Sequence, residues 1–488
     1  MKNVIRKIGS FLLMITLFTS GAFAKGNSGL NGFADFQINT KNIEILFEDN
    51  ILNDRENINN NIYIVDEENN KISMEEFYIS SFDNFVIVDL ANVKLEPNKI
   101  YKLYVDKDLS KEDETKLGVE LICPFKLSDN YSNIIELKNK DIEKAIREEC
   151  ELFEGDLTQG HLEECESVNI SKLTDFKNLD EINLLKNLYT LNFENCDLSE
   201  LEDFKLELDE CNELKFNQSY IKNFNGFYKN PILEQIEFKN ANVESFDGID
   251  NFKNINMLDF WDMNLNEIDF EKIFSTWDIK NLSICNCESD DLNFLNDSKN
   301  ITDLELSMRN EIDLDDLKNL KLLIDLDLSH STLKNVVALE DMKELKSLSL
   351  YDCEIDDDEL NYLGNINSID ELELVNCNIS SIDFLTDLEN LEWLEIGHNN
   401  LNDISAISNL KNLRFLCLKN NEIENIDALK GLDKLEQLSI TDNNISNIDV
   451  LKELKSLEEI ILSDIQVDKF KDVLDELDGV KLDIINRY

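Results

Sequence analysis

The chain has 488 residues, with 102 Asp and Glu against 47 Lys and Arg, and a formal net charge of −55 at neutral pH. So acidic an exterior disfavours nucleic acid and anionic lipid as partners, because phosphate binding draws on Lys and Arg; it suits basic protein surfaces or divalent cations, or simply strong hydration. Only 3 prolines and 14 glycines argue against collagen-like or long low-complexity stretches.

In residues 1–24, Lys2, Arg6 and Lys7 precede an apolar run from Phe11 to Phe18, and Ala22-Phe23-Ala24 offers a small-residue cleavage site before Lys25. That is the layout of a secretory signal peptide, with an apolar run too short to anchor in a bilayer. No cysteine stands near the cleavage site for lipid attachment, and Asn486-Arg487-Tyr488 ends the chain without an apolar tail or sorting motif. The expectation is a secreted or cell-surface protein with no evident anchor and no membrane insertion.

Residues 30–127 carry short alternating runs, as in Tyr101, Leu103 and Val105, separated by turns rich in Asn, Asp and Glu. They predict an antiparallel β-sandwich of about seven strands. Ile43-Glu44-Ile45-Leu46-Phe47 and Leu95-Glu96-Pro97-Asn98-Lys99-Ile100-Tyr101-Lys102-Leu103 resemble the bacterial Ig-like domain of S-layer and other surface proteins, with Asn98 where that family has Gly. The resemblance implies an all-β domain that spaces or presents another module, without chemistry of its own.

Residues 131–187 read as a helical cap and a degenerate first repeat. Asp141-Ile142-Glu143-Lys144-Ala145-Ile146-Arg147-Glu148 is amphipathic, with Ile142, Ala145 and Ile146 on one face. Ile170, Leu173, Phe176 and Leu179 then recur every third residue. A stacked array exposes its core at its open end, so a cap is required there.

Residues 188–488 are the array. Leu391, Leu394, Ile396, Asn399 and Leu401 return 22 residues later as Leu413, Leu416, Leu418, Asn421 and Ile423, and again as Leu435, Leu438, Ile440, Asn443 and Ile445. Numbering Leu391 as place 1, the template LxxLxLxxNxI is that of a leucine-rich repeat. Places 4 and 6 alternate as on a strand, and places 11, 14, 17 and 20 suit a short 3₁₀ or α return. Place 1 recurs from Leu188 to Leu457, with 24-residue intervals after Ile255 and Leu345 and one of 23 after Leu188. The extra residues belong on the return side, since the strands must keep register. Val480-Lys481-Leu482-Asp483-Ile484 reads as a last strand covering the C-terminal end. The predicted fold class is therefore an α/β leucine-rich-repeat solenoid, a horseshoe with a parallel concave sheet, preceded by the all-β sandwich. Cap and repeats together resemble the internalins, exported leucine-rich-repeat proteins of Gram-positive bacteria with a D-x-x-L-x-x-A-I-R-like cap segment. This chain departs from them in placing its Ig-like domain before the array and in lacking a wall-anchoring segment.

Ten cysteines in an exported chain would suggest disulfides. Yet Cys196, Cys287, Cys353 and Cys377 fall on place 9, where Asn399, Asn421 and Asn443 stand in other coils, and Cys165 and Cys211 also fall on inward places. Most are expected to be reduced and structural, small buried substitutes at a bend. Cys417, at place 5, is expected to face out. Asp356-Asp357-Asp358-Glu359 lacks the spacing and Gly of a calcium loop and reads as a helix N-cap with acids in the first turn.

Function belongs on the places that packing leaves free, which are 2, 3, 5 and 7. Place 5 is acidic at Glu237, Asp259, Glu305, Asp327, Glu373 and Glu395; Trp261 and Tyr351 stand at place 7, and Met257, Trp393 and Phe415 at place 3. Exposed aromatics ringed by charge are how protein-interface hot spots look, though single surface aromatics and solvated acids are also ordinary. Catalysis finds no support: Ser329 and His330 are consecutive on a strand and must diverge, and Cys417 and His398 lie too far apart along adjacent strands. No metal or cofactor motif is present. The reading is a non-enzymatic, exported protein-recognition module, binding a partner with a basic patch in adhesion or host interaction. The alternative is a cell-envelope spacer held non-covalently to the wall through the Ig-like domain.

Overall fold

The computed structural model describes residues 37–38, 42–46, 55–72, 78–82, 85–89, 95–96, 99–111, 115–117, 120–127, 129–150, 152, 155–201, 206–298 and 300–485. The expected signal peptide, Pro97 and Asn98 of the Ig-like signature, and the last three residues lie outside them. The chain divides into two compact units, Met1–Leu191 and Asn192–Tyr488.

The first unit opens with two small sheets. One orders Gln37–Ile38, Leu121–Leu127, Ile100–Val105 and Ile62–Val65; its first pair is parallel and the others antiparallel. The other places Phe85–Asp89 between Asn42–Leu46 and Tyr78–Phe82, all antiparallel. Tyr101, Leu103 and Val105 are buried while Ile100 is exposed, the alternation of a strand with one apolar face. A short helix, Arg55–Asn61, interrupts the strands where none was expected. Asn57 pins it by exchanging two hydrogen bonds with the backbone of Ser110, at 3.1 and 2.8 Å.

The cap helix is Lys140–Glu149, with Ile142, Ala145 and Ile146 buried as the pattern required. Asn139 starts it: its side-chain oxygen accepts from the N–H groups of Asp141 and Ile142, and its amide donates to the carbonyls of Asp175 and Lys177 at 2.8 and 3.0 Å. Asp141 in turn accepts from the N–H groups of Thr174 and Asp175. One asparagine thus caps the helix and ties it to the first degenerate coil. Ile170, Leu173 and Leu179 of that coil are buried, and Phe176 is half-buried.

The second unit is a leucine-rich-repeat solenoid. Its strands form one parallel sheet in chain order, each paired with the next at the interval read from the sequence: Leu372↔Leu394, Leu394↔Leu416, Leu416↔Leu438. Every place-1 residue from Leu188 to Leu457 is buried. Place 8 turns the chain: Asn240, Asp262, Asn286, His330, Asp352, Asn376, His398, Asn420 and Asp442 all have positive φ. Asn, Asp and His tolerate that left-handed region best among residues with a Cβ. Both repeat histidines are therefore accounted for by the bend.

Place 9 then reaches inward. Asn421 donates to the carbonyls of Ile396 and Leu418 at 3.1 Å each and accepts from the N–H of Leu401 at 3.0 Å. Asn399 and Asn443 repeat the arrangement one coil on either side. Cysteine does half of this. The thiols of Cys353 and Cys377 donate to Leu328 and Leu350 carbonyls at 3.1 and 2.8 Å, as expected of small buried substitutes. Most 22-residue coils return through 3₁₀ turns such as Ser405–Asn409, the coil from Cys211 returns through the short strand Phe227–Lys229, and the two 24-residue coils return through α-helices, Phe270–Thr276 and Asp357–Leu363. Asp356 stands at the N-cap position of the latter but makes no side-chain cap bond, a correction to the expected capping.

Two further features differ from expectation. At the early coils the core is aromatic rather than aliphatic: Phe193, Phe216, Phe238 and Phe260 stack at place 6, with ring centroids 5.9, 5.5 and 5.4 Å apart. At the far end, Lys481–Ile485 does add a parallel strand, but all five of its side chains are exposed. The helix Asp464–Leu474 closes the core instead, burying Gln466 and Phe470. Among the described residues no helix is long and apolar enough to cross a membrane.

Candidate functional site

The strand places that point away from the core form columns on the open face of the sheet, because parallel strands in register stack like places about 4.8 Å apart. The place-5 column runs Lys215, Glu237, Asp259, Ser283, Glu305, Asp327, Ser349, Glu373, Glu395, Cys417 and Ser439. Carboxylates come in pairs, and a short donor follows each pair. Ser283 donates to Glu305 at 2.6 Å and Ser349 to Glu373 at 2.9 Å. Cys417 fills the third such position, beside Glu395 in register.

This corrects the expectation for Cys417. It lies on the open face by register, yet it is buried, and burial raises its thiol above the ordinary range. Cys417 and its column neighbour Ser439 are both buried, so no exposed thiol is presented there.

Crowding shows in the acids. Burial, with Glu237 alongside, pushes the Asp259 carboxyl up to about 6, although Gln235 donates to it at 2.6 Å. Burial together with Glu373 raises Glu395, and burial together with Asp303 raises Asp325. Carboxylates stacked in a partly desolvated column disfavour one another's charge. Lys215 relieves one end, 3.1 Å from Glu237 and 2.8 Å from Glu213. Between Asp259 and Asp327 a hollow of about 170 Å³ is lined by Asn281, Ser283, Asp303, Glu305 and Asp325 as well. Asp303 and Asp325 were overlooked in the sequence, although counting to place 3 of their coils would have found them.

The aromatics divide into separate groups. Trp393 and Phe415, paired in register, stack with ring centroids 3.5 Å apart and planes 7° from parallel; Trp393 remains 40% exposed. Glu371 and Glu373 flank the pair on the preceding strand, and Arg414 is held by both carboxylate oxygens of Glu436 beside it. Tyr351 is 39% exposed and sits edge-on to His330 rather than with that pair. Met257, Asp259 and Trp261 share a single strand, six strand steps and roughly 29 Å from Trp393. The structure therefore gathers Glu373, Trp393, Glu395 and Phe415 into one patch and leaves Met257 and Trp261 in another, with the acidic hollow between them.

The polar groups that resemble a catalytic set in print point elsewhere. The Ser329 hydroxyl donates to Asp327, whereas the His330 ring lies 3.1 Å from Asp352. The His398 ring meets Asn420 at 3.1 Å, away from Cys417.

Repeat spacing, in-register parallel strands and the inward asparagine ladder define the second unit as a leucine-rich-repeat solenoid. A family model described as leucine rich repeats (2 copies) matches residues 389–431. Among solved structures, the chain is similar to an internalin from Listeria monocytogenes, at 19% identity over 72% of this chain and 95% of that chain, with a TM-score of 0.37. It is also similar to internalin C2 from the same organism, at 18% over 66% and 93%, TM-score 0.29. A leucine-rich-repeat protein of Leptospira interrogans matches at 18% over 72% and 100%, TM-score 0.40. No curated protein matches the chain.

Proposed function

We propose that the chain is an exported recognition protein of the internalin type, holding a protein partner with a basic patch against the open face of its sheet, in adhesion or host interaction. The observation that carries this reading is the Trp393–Phe415 stack. Two large rings are held face to face on the side of the sheet that the core does not use, and one of them remains open to solvent. Rigid aromatics lose little conformational freedom on binding, which is why they anchor protein interfaces. The carboxylates at Asp259, Glu305, Asp327, Glu373 and Glu395 supply the complementary charge for Lys and Arg of the partner and speed its approach at low salt. Residues 1–24 act as the export signal, residues 30–127 as an Ig-like spacer supported by seven strands in two sheets, and residues 131–187 as the cap of the array from 188 to 488.

The test is capture of surface and secreted proteins by the purified full chain at physiological salt, wild type against a Trp393→Ala/Phe415→Ala double variant. Retention of the same partners by the double variant refutes the assignment. If the chain serves instead as an envelope spacer, deleting residues 30–127 abolishes surface retention, whereas a recognition module keeps its partner binding.

A further inference from the structure

We infer that Cys150 and Cys165 are the two halves of a disulfide that staples the helical cap. Cys150 ends the helix Lys140–Glu149 and Cys165 ends the helix Gln159–Glu164. Their sulfurs lie 3.4 Å apart, inside the sum of two sulfur van der Waals radii, and both residues are buried. Forming the bond, about 2.05 Å long, requires each sulfur to move by only about 0.7 Å.

The surroundings direct the two thiols together. Each lies 3.3 Å from the same acceptor, the carbonyl oxygen of His161, so both side chains are aimed at a single point. The His161 ring does not compete for them as a metal ligand would, since its Nδ1 lies 2.8 Å from the Thr158 hydroxyl in the capping box of the second helix. Tyr131 packs edge-on against that ring and donates to Glu164, closing the site over. The repeat cysteines differ in kind: Cys353 and Cys377 each donate to a carbonyl of a preceding coil, and that bond is the use the bend makes of them.

The oxidant is a small disulfide such as oxidised glutathione. The Cys150 thiolate attacks one of its sulfurs and releases a glutathione thiolate; the Cys165 thiolate then displaces the second glutathione from Cys150. Two thiols and one oxidised glutathione become one protein disulfide and two reduced glutathiones, the two thiol protons passing to the leaving thiolates. The contact with Cys150 and burial both raise the Cys165 thiol far above its ordinary range, so exchange takes place as the cap folds rather than after it has closed.

The bond would close a loop of 15 residues between the ends of the two cap helices. A reduced cap opens more readily there, because the disulfide restrains the unfolded loop.

The experiment refolds the reduced full-length chain in a glutathione redox buffer, alkylates it under denaturing conditions, and maps the peptides by mass spectrometry. The expected result is a Cys150–Cys165 linked peptide that disappears on reduction, with Cys417 and the place-9 cysteines alkylated throughout. Reductant should lower the melting temperature of the wild type and leave that of a Cys150→Ser/Cys165→Ser variant unchanged. A natively refolded wild-type chain alkylated at both Cys150 and Cys165, or one linked through repeat cysteines instead, overturns the inference. The peptide map needs no variant, so a misfolding double mutant leaves the test intact. It is also independent of partner capture: the disulfide can fail while recognition stands, and the reverse.

Discussion

Asn421→Ala tests the coil geometry most directly. The asparagine amide donates to carbonyls of Ile396, Leu418 and Lys419, and its oxygen accepts from the N–H of Leu401. The losses are unequal. Ile396 keeps a bond from Asn399, Leu418 one from Asn443, and Lys419 one from the N–H of His398. Leu401, fully buried, is left with an unpaired amide, and one orphaned buried N–H costs about 1–3 kcal/mol. For a unit of this size that corresponds to a melting decrease of roughly 2–5 °C. Asn400→Ala is the control: Asn400 is an exposed neighbour whose side chain bonds only Asn378, so its removal should cost about 0.5 kcal/mol or less. Calorimetry supplies the difference, and hydrogen exchange at the Leu401 amide locates it, with faster exchange expected in the Asn421 variant alone. Equal melting of the two variants, or unchanged Leu401 exchange, would mean that the inward asparagine does not hold the bend.

Leu416→Asp places a carboxylate at a fully buried position between Leu394 and Leu438 and should cost well over about 3 kcal/mol, read as lost cooperative unfolding of several coils in a denaturant titration. Asp259, raised to about 6 by burial, binds its proton more tightly when folded. Its contribution to stability is thus largest below about pH 4 and falls as pH rises to about 6, on the order of 1–3 kcal/mol. Asp259→Asn should flatten that part of the stability–pH curve and raise stability at neutral pH; an unchanged curve contradicts the burial argument. The same protonation predicts that a basic partner captured at pH 7 is held more weakly near pH 5, with Asp259→Asn losing part of that dependence.

Where the chain repeats, the sequence was sufficient. Place 1 is buried in every coil, the strands pair at the interval counted from Leu391 to Leu413, and the cysteines at place 9 point inward, because one period fixes both packing and direction. The misses fall where the period stops or where neighbours decide. The helix Asp464–Leu474 has no counterpart in other coils, so its role in closing the core left no repeating signal. Cys417 faces the open side as its place dictates, yet it is buried there, which place counting alone does not register. The aromatic stack from Phe193 to Phe260 was visible letter by letter, but the template treats Phe and Leu alike at place 6. On the open face, the shared place 3 of Trp393 and Phe415 on consecutive coils is enough to pair them, whereas the acidic hollow needs Asp303 and Asp325 to be counted with the place-5 acids.

The inward ladder gives the array a direction. Each bend borrows its acceptor from the coil that follows: Leu401 from Asn421, Ile423 from Asn443. Severing the chain after any of these coils would therefore strand the amide of the last bend, whereas a new coil carrying its own asparagine slips in between two others without leaving a debt. At the terminus Gln466 supplies only the donor half of this arrangement, giving a hydrogen bond to the Ile440 carbonyl at 2.9 Å, while its oxygen accepts from the Ser463 N–H of its own helix start. Length can thus vary in the middle, while the last coil ends on a helix that donates back into the stack and asks for no coil beyond it.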